Sequence, residues 1–462
     1  MKKLLRFSFV LLLVLGYKKS LRAQNQDSIT LRKLYDYYLT KSNCYSNLQY
    51  LATKIGGRLS GSSQAEQAVE WAKKAMYQAG ADTVILQPCM VPHWVRGAKE
   101  KCQLTSYRTK LNVPLSCIAL GSSIGTGTPG IFASVVEVSS FEQLEQMGEK
   151  RIKGRIVFYN VYFDQTKINT MEAYSSVAKY RSKGASYAAK YGAVASLVRS
   201  MTSVADDEPH TGNMHYDTTI SKIKIPALAI GYKSADFLHT TLIRDRDLVV
   251  NIETHCQTLL DAPSFNVIGQ ITGSEKPNEF MLTGGHLDSW DNGQGAHDDG
   301  AGVVQSIEIL RAFKQLGIKP KHSMRAVAFM NEENGLAGGA AYAKFAQEHN
   351  EKHLAALETD AGGFTPRGFG IDTLNGLYNK AIKWKTLFEP YYIQKITAGG
   401  GGADLIALEK LGVPCIGFEP DPQRYFDIHH TAADTFDKIN KRELELGAAA
   451  IGALLYLIDK NY

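Results

Sequence analysis

Five short stretches in the C-terminal half of this 462-residue chain hold residues of the types that bind metal ions. They span residues 284–288, 295–300, 331–335, 358–362 and 429–431. Each offers one imidazole or carboxylate as a candidate ligand: His286, Asp298, Glu333, Asp360 and His430. These are ligand types that borderline divalent cations such as Zn²⁺ accept. A further carboxylate, Glu332, remains free to move protons, so the set predicts the chemistry of a two-metal hydrolase.

The placement of these stretches relative to predicted strands favours one shared site. His286, the Glu332-Glu333 pair and Asp360 each follow a predicted strand, and residues 429–430 lie in the loop after the last one. In open α/β sheets, ligands bind beyond the carboxyl ends of the strands. Each residue alone has a structural explanation, such as a helix cap or a surface histidine. Five chelating groups at one sheet edge predict a metal centre.

The elements that must position this centre alternate between strands and helices. The predicted strands are residues 266–271, 279–282, 323–329, 354–358 and 415–418. The predicted helices are residues 300–316, 336–348, 378–388 and 441–458. Such alternation is typical of βαβ units. We therefore predict an α/β fold with a mixed, mainly parallel sheet sandwiched by helices.

Residues 126–255 form a segment that contains none of these candidate ligands. Short β-rich runs alternate there with helices such as residues 177–191. We interpret the segment as an inserted, smaller α/β domain that shapes the substrate site or covers it, with a simple spacer as the alternative. Residues 24–125 and 256–462 would then be the two parts of one domain, with the metal site in the second part.

The N-terminus has the pattern of an export signal. Three basic residues precede an apolar run over residues 7–16, and Ala23 follows as a small residue. This pattern predicts a signal peptide over residues 1–23 and a secreted or periplasmic protein. The run is too short for a stable membrane span. Basic residues between the run and Ala23 leave the cleavage point and an uncleaved anchor open.

The composition is that of an ordinary globular protein. Apolar residues make up 44% of the chain, charged residues 21%, and the net charge is only +6. Because there is no dense Lys/Arg tract, we expect no nucleic-acid partner. Six cysteines are scattered without a CxxC pair, which argues against a zinc ribbon and leaves the disulfide pattern open.

Together these motifs resemble those of the zinc-dependent exopeptidases that include secreted bacterial leucyl aminopeptidases and glutamate carboxypeptidase II. The resemblance is strongest to the carboxypeptidase Q branch, and it spans nearly the whole mature chain. It rests on residues 58–62 (RLSGS), 284–291 (GGHLDSWD), 331–335 (NEENG), 358–362 (ETDAG) and 429–431 (HHT).

The resemblance implies two Zn²⁺ ions per chain and a role for each ligand. His286 and Asp360 would hold one ion. Glu333 and His430 would hold the other. Asp298 would bridge the two, and the peptide bond after this bridging aspartate would be cis.

The resemblance also implies roles for residues beside the ligands. Glu332 would be the general base, which takes a proton from water and passes it to the leaving amine. Asp288 would orient the first histidine ligand through its other ring nitrogen. Asp404 would lie beside the site, and His429 would either donate to the oxyanion or only neighbour the ligands. His297 differs from the residue that relatives often carry and is an alternative ligand.

The implied activity is hydrolysis of short peptides, by a dipeptidase or carboxypeptidase that works as a homodimer with a protease-associated-like insert. An aminopeptidase on longer peptides would need the same metals. A glutaminyl cyclase-like acyltransferase with one zinc and a catalytically silent binding protein are further alternatives. Recognition of a terminal carboxylate would need Arg or Lys, for which the sequence offers Arg367 and Arg424 only as neighbours along the chain.

Overall fold

The computed structural model describes residues 26–462, so the predicted signal peptide lies outside the described residues. The helices are α1 (26–41), α2 (Cys44–Tyr50), α3 (Ser63–Gln78), α4 (Phe141–Ile152), α5 (Thr170–Lys190), α6 (Tyr232–Arg244), α7 (Ala301–Gln315), α8 (Ala337–Glu348), α9 (Leu377–Ala381), α10 (Lys385–Phe388), α11 (Ile406–Glu409), α12 (Tyr425–Ile428) and α13 (Lys441–Asn461).

The strands fall into two eight-stranded sheets and one two-stranded ribbon. They are β1 (Thr83–Val91), β2 (Trp94–Val95), β3 (Lys101–Ser106), β4 (Leu111–Pro114), β5 (Cys117–Ala119), β6 (Ile131–Val138), β7 (Ile156–Tyr159), β8 (Ala195–Arg199), β9 (Ala227–Ile230), β10 (Val249–Glu253), β11 (Gln257–Thr258), β12 (Ala262–Ile271), β13 (Lys276–His286), β14 (His322–Phe329), β15 (Lys352–Glu358), β16 (Pro366–Ile371), β17 (Lys395–Ala398) and β18 (Cys415–Pro420).

The first sheet has the strand order β1-β12-β14-β13-β15-β18-β16-β17. Its central strands β14, β13, β15 and β18 run parallel to one another, while β1, β12 and β16 bring in antiparallel pairings. The predicted mixed, mainly parallel sheet is confirmed. Strand β14 is buried along its whole length, as expected for a central strand with both faces covered.

Helices cover both faces of this sheet. Along β13, Met281 packs into a core with α1, α2, α3, α7 and α13, whereas its neighbour Leu282 packs into a second core with α8 and α11. Successive side chains of a strand point to opposite faces. The apolar run that predicted a buried strand therefore serves two separate layers of helices.

The second sheet has the strand order β4-β3-β10-β6-β7-β8-β9-β5. Helices α4 and α5 pack on one face and α6 on the other. Strands β3, β4 and β5 lie before residue 126, where the sequence places the start of the insert. Strand β3 joins this sheet by pairing with β10, β4 pairs with β3, and β5 pairs with β9. The partners β10 and β9 lie far along the chain, and such long-range pairing leaves no local signal.

Two regions of the C-terminal half differ from the predicted elements. The helix predicted over residues 378–388 is two short helices, α9 and α10, with a 3₁₀ turn between them. Strands β16 and β17, at the sheet edge, carry too little apolar pattern to be predicted.

Within residues 26–462 no helix combines the length and apolarity that crossing a membrane requires.

Candidate metal centre

Three neighbouring strands of the first sheet end beside one another. In the parallel register His286 pairs with Phe329, and Gly284 pairs with Glu358. His286 is therefore the last residue of β13, while the turn that holds Glu332 follows β14 directly. Asp360 lies two residues after β15. The expected gathering of these side chains at one sheet edge follows from this register.

Asp298 lies between two pairs of predicted ligands. Its Oδ1 is 3.1 Å from His286 Nε2, which is also 3.5 Å from Asp360 Oδ1. Its Oδ2 is 3.2 Å from His430 Nε2, which is also 3.2 Å from Glu333 Oε2. The structure thus brings all five predicted ligands together, as two His–carboxylate pairs that share one aspartate.

The chemistry of these atoms fits two divalent cations. His286, Asp298 and Glu333 offer ligand atoms within 4.8 Å of one another. In the part of the chain that the structure describes, the buried oxygens Asp298 Oδ2 and Asp360 Oδ1 have no hydrogen-bond donor. Buried carboxylates without donors are costly unless a cation compensates them. Both histidines present Nε2 towards the shared aspartate, as ligands would.

The backbone around the bridging aspartate is held by Asp434. This carboxylate accepts hydrogen bonds from the amides of His297, at 2.8 Å, and Asp298, at 3.1 Å. The Asp298–Asp299 peptide bond is cis, as the resemblance implied. The two amides therefore fix the direction in which Asp298 leaves the chain.

Asp299 lies near the site, but both of its carboxylate oxygens accept hydrogen bonds from backbone amides. Its Oδ2 accepts from the amide of His286 at 3.0 Å, and its Oδ1 accepts from the amide of Gly302 at 3.0 Å. The carboxylate lies at the start of α7, where the unpaired amides of a helix favour an acidic group. Asp299 thus links the end of β13 to α7, while Asp298 keeps its oxygens available.

Asp288 orients the glutamate pair rather than the first histidine. Its carboxylate accepts from the amides of Asn331, at 2.8 Å, and Glu332, at 3.0 Å. His286 Nδ1 lies 2.9 Å from the main-chain oxygen of Asp288, whereas the carboxylate is 3.8 Å away. Donation from Nδ1–H to this carbonyl leaves Nε2 free as a ligand. The main-chain carbonyl of Asp288 makes the contact with His286 that was expected of its carboxylate, because the carboxylate already accepts from the amides of Asn331 and Glu332.

Glu332 lines the cavity above the two ligand pairs. Burial, reinforced by the carboxylates of Asp360 and Glu333, raises its pKa well above the usual range. A carboxylate that holds a proton readily can take one from water and release it to a leaving group. Its position and surroundings therefore suit the role of a general base.

The remaining predicted neighbours have different surroundings. The ring of His429 stacks on that of His430 at 3.5 Å, and its Nε2 is 3.7 Å from Asp298 Oδ2. Burial, and the charge of Glu358 beside it, raise the pKa of Asp404 well above its usual range. His297 stacks on Phe364 at 4.2 Å and accepts from the Gly363 amide through Nδ1, so its ring makes structural contacts.

A cavity of about 430 Å³ opens over the ligands, and elements of the second sheet line its other side. Met171, Tyr174 and Arg181 come from α5, and Asn213 comes from the loop before β9. The helix predicted over residues 177–191 lacks the first two turns of α5. The signal was Asn169, whose side chain caps α5 by accepting from the Met171 amide.

Comparison with known proteins identifies relatives over almost the full length of the chain. The sequence profile of peptidase family M28 matches residues 266–455. Carboxypeptidase Q from Bos taurus is 34% identical over 425 residues, which cover 91% of this chain and 86% of that protein. The Homo sapiens carboxypeptidase Q gives the same identity and coverage.

Solved structures share the whole architecture. The peptidase M28 precursor from Shewanella amazonensis superposes with a TM-score of 0.88 at 33% identity, covering 94% of this chain and 97% of that one. A zinc aminopeptidase from Bacillus subtilis reaches a TM-score of 0.64 at 19% identity, with 90% and 95% covered. The second similarity shows the fold alone.

Proposed function

This chain belongs to peptidase family M28, as a carboxypeptidase Q-like member, and on that premise we propose that it is an exported two-zinc enzyme that cleaves free dipeptides and other short peptides. As a family member it is a zinc-dependent exopeptidase, a hydrolase of peptide bonds. The number of ions, the residues that hold them and the substrate are parts of the proposal.

The observation that carries the proposal is the arrangement around Asp298. One carboxyl oxygen faces His286 and the other faces His430, so a single aspartate serves two ligand pairs. His286 with Asp360 would hold one Zn²⁺, and His430 with Glu333 would hold the other. This complete set supports hydrolysis over the one-zinc acyltransferase and the silent binding protein.

In the proposed mechanism, bound zinc would lower the pKa of water and polarise the scissile carbonyl. The carboxylate of Glu332 takes the proton of the attacking water and gives it to the leaving amine. Asp288 keeps this carboxylate in place by binding the amide of Glu332. Residues of α5 line the side of the cavity that faces these groups.

The substrate pair that tests the proposal is L-Ala-L-Ala and L-alanyl-L-alaninamide. We expect the zinc-loaded enzyme to release alanine from the free dipeptide, to lose this activity with a chelator, and to regain it with zinc. The amide should be a poor substrate. Equal cleavage of both substrates would make the enzyme an aminopeptidase, and activity that survives complete zinc removal would contradict the metal mechanism.

We also propose, from the resemblance, that residues 1–23 are removed during export, that residues 126–255 together with β3, β4 and β5 form an inserted domain, and that two chains associate. The short ribbon between β2 and β11 supports the insertion, because it joins the strands just before and after the second sheet. The N-terminal sequence and the mass of the exported protein test the first and last statements.

A further inference from the structure

Two cysteines of the second sheet, far from the metal centre, are neighbours in the fold. All six cysteines of the chain lie within the described residues, and all six are thiols. Cys102 belongs to β3, and Cys117 is the first residue of β5. A hydrogen bond with the Cys102 side chain, together with burial, raises the pKa of the Cys117 thiol well above its usual range. The two sulfur atoms are therefore close together.

The second sheet curls so that its two edges meet beside these cysteines. Strand β4 forms one edge and β5 the other, yet only two residues separate them along the chain. The first, Leu115, donates its amide to the carbonyl of Cys102 at 2.8 Å. The second, Ser116, donates to Ser234 Oγ at 2.8 Å and accepts from the Gly231 amide at 3.0 Å, beyond β9. The chain thus passes from β3 to the opposite edge within two residues.

Both cysteine side chains face the same apolar core. The buried and partly exposed side chains of β3 alternate, and Cys102 lies on the buried face with Leu104. These two residues and Leu115 belong to the core beneath α6, and Cys117 packs against it. A disulfide needs two Cβ atoms about 3.8 Å apart on side chains that point towards each other. Two thiols that share a core and a hydrogen bond have this mutual orientation.

The other cysteines have different surroundings. Cys44 Sγ donates to the Val304 carbonyl at 3.6 Å, and Cys415 Sγ donates to a backbone carbonyl at 3.4 Å. Burial raises the pKa of Cys89 to about 11 and that of Cys256 to about 12. Buried thiols of high pKa are poorly reactive. Cys117, in contrast, is only partly buried, so an oxidant in solution can reach it.

Strand β5 also supports the wall of the cavity. The carbonyl of Ala119, two residues after Cys117, accepts from Thr211 Oγ1 at 2.8 Å. The amide of Thr211 in turn donates to the carbonyl of His430 at 3.0 Å. A covalent bond from β3 to β5 would therefore hold the strand on which this loop rests.

We propose that Cys102 and Cys117 form a disulfide in the mature protein, which joins the two edges of the second sheet covalently. The assignment rests on the proposed export, because disulfides persist in oxidising compartments. It gives a pair of cysteines that takes no part in the peptidase chemistry a structural role.

The oxidant is a disulfide, of glutathione or of an exported thiol oxidase. The Cys117 thiolate attacks one of its sulfurs, which forms a mixed disulfide and releases the first thiol. The Cys102 thiolate then displaces the second thiol. Both cysteine sulfurs are oxidised, and the oxidant is reduced to two thiols that take up the two protons.

Peptide mapping of the exported protein tests the bond directly. The protein is denatured and alkylated without a reductant, then digested with trypsin, which places Cys102 in residues 102–108 and Cys117 in residues 111–150. We expect these two peptides to be linked, with a mass two hydrogen atoms below their sum, and to separate on reduction. Cys256 is the internal control and should be alkylated. Alkylation of Cys102 and Cys117 to the same extent as Cys256 would overturn the proposal.

The same digest reports the N-terminal peptide, so export is tested separately from the pairing. If the chain is found only inside the cell, the proposed export fails. The pairing is then decided by incubating the reduced, purified chain with glutathione disulfide. Formation of the linked peptides supports the pairing, and two glutathionylated or free cysteines overturn it.

Thermal unfolding of the zinc-loaded protein tests the structural role. Reduction with tris(carboxyethyl)phosphine should lower the Tm by about 3–8 °C, because the bond closes a loop of about 15 residues. The double variant Cys102→Ala/Cys117→Ala should show no effect of the reductant, whereas Cys256→Ala should keep the full shift. A shift of wild-type size in the double variant would contradict the role. If the double variant does not fold, the shift in the wild type and in Cys256→Ala decides, and no shift in either overturns it.

Discussion

At the scale of single residues, the neighbours of each carboxylate determine whether its oxygens already accept hydrogen bonds or remain available to a metal ion. Asp298 has its amide bound by Asp434 and its oxygens turned to the two histidines. Adjacent Asp299, of the same residue type, has both oxygens occupied by backbone amides. The proposed ligand and the structural residue therefore differ in the number of backbone amides that bind their carboxylate oxygens.

Replacing the proposed general base separates proton transfer from metal binding. Glu332→Gln should lower kcat by about 10²- to 10⁴-fold, because the amide cannot take a proton from water. Its zinc content, measured by mass spectrometry, should equal that of the wild type. Glu333→Gln is the matched comparison and should lose zinc. Wild-type turnover by Glu332→Gln would show that another group is the base.

A second residue-scale prediction concerns Glu308 on α7, away from the metal centre. Burial raises the pKa of this carboxyl to about 7, although Tyr37 donates to it at 3.0 Å. The folded state therefore holds its proton more tightly than the unfolded state. The resulting stability is greatest at low pH and is lost as the pH rises through about 7.

Glu308→Gln should remove this pH dependence because the amide stays neutral. We expect it to raise the free energy of unfolding by about 1–3 kcal/mol at pH 8 and by less at pH 5. Urea unfolding at the two pH values measures the effect. Glu70→Gln, at an exposed position of α3, is the control. An equal gain for Glu308→Gln at both pH values would contradict the burial argument.

At the scale of elements, one buried arginine organises the loop between β13 and α7. Arg58 donates to the carbonyls of Leu287, Gln294 and Gly295, at 2.5, 2.9 and 3.0 Å. These acceptors lie at both ends of the loop that separates His286 from Asp298. The N-terminal segment thus contributes to the metal centre without providing a ligand.

Arg58→Lys should weaken zinc binding because a single ammonium cannot reach both ends of the loop. We expect the zinc Kd to rise about 10- to 100-fold, as for other groups that orient ligands. Competition with a fluorescent chelator measures this affinity. Arg32→Lys, at a largely exposed position paired with Asp36, is the control. Unchanged affinity in Arg58→Lys would mean that the loop keeps its shape without the guanidinium.

At the scale of the whole molecule, the substrate cavity belongs to both sheets. The first sheet provides the metal centre, and α5 of the second sheet provides the facing wall. The two parts meet through the stacked rings of Tyr174 and Phe426, 4.6 Å apart, and through Thr170, which donates to the Pro422 carbonyl at 2.7 Å. The cavity over the metal centre is therefore complete only in the assembled chain.

Zinc should stabilise the whole fold, because it binds ligands that are brought together only in the native state. At free zinc a thousand-fold above Kd, we expect a gain of about 4 kcal/mol in the free energy of unfolding for each ion. Thermal unfolding with zinc and with a chelator measures the shift. Asp298→Asn should abolish most of it, since both ions lose a ligand. A zinc-dependent shift of wild-type size in Asp298→Asn would contradict the bridging role.

From the sequence alone it was possible to predict the fold class, the candidate ligands and the sheet edge at which they gather. A strand such as residues 323–329 can be predicted from its continuous run of apolar side chains. The chelating residues at the ends of such runs can be read directly from the sequence. The family motifs then implied a role for each ligand. Such information is local, because it depends on residues within one or two elements.

The way in which distant segments complete the site follows from the tertiary structure. Three contacts join residues that are more than 100 positions apart. Strand β3 pairs with β10, Arg58 donates to the loop before Asp298, and Arg181 lines the cavity over the metal centre. Arg367 and Arg424 are nearer to the ligands along the chain, yet they are paired elsewhere. Contacts of this kind depend on packing and register, which no local pattern encodes.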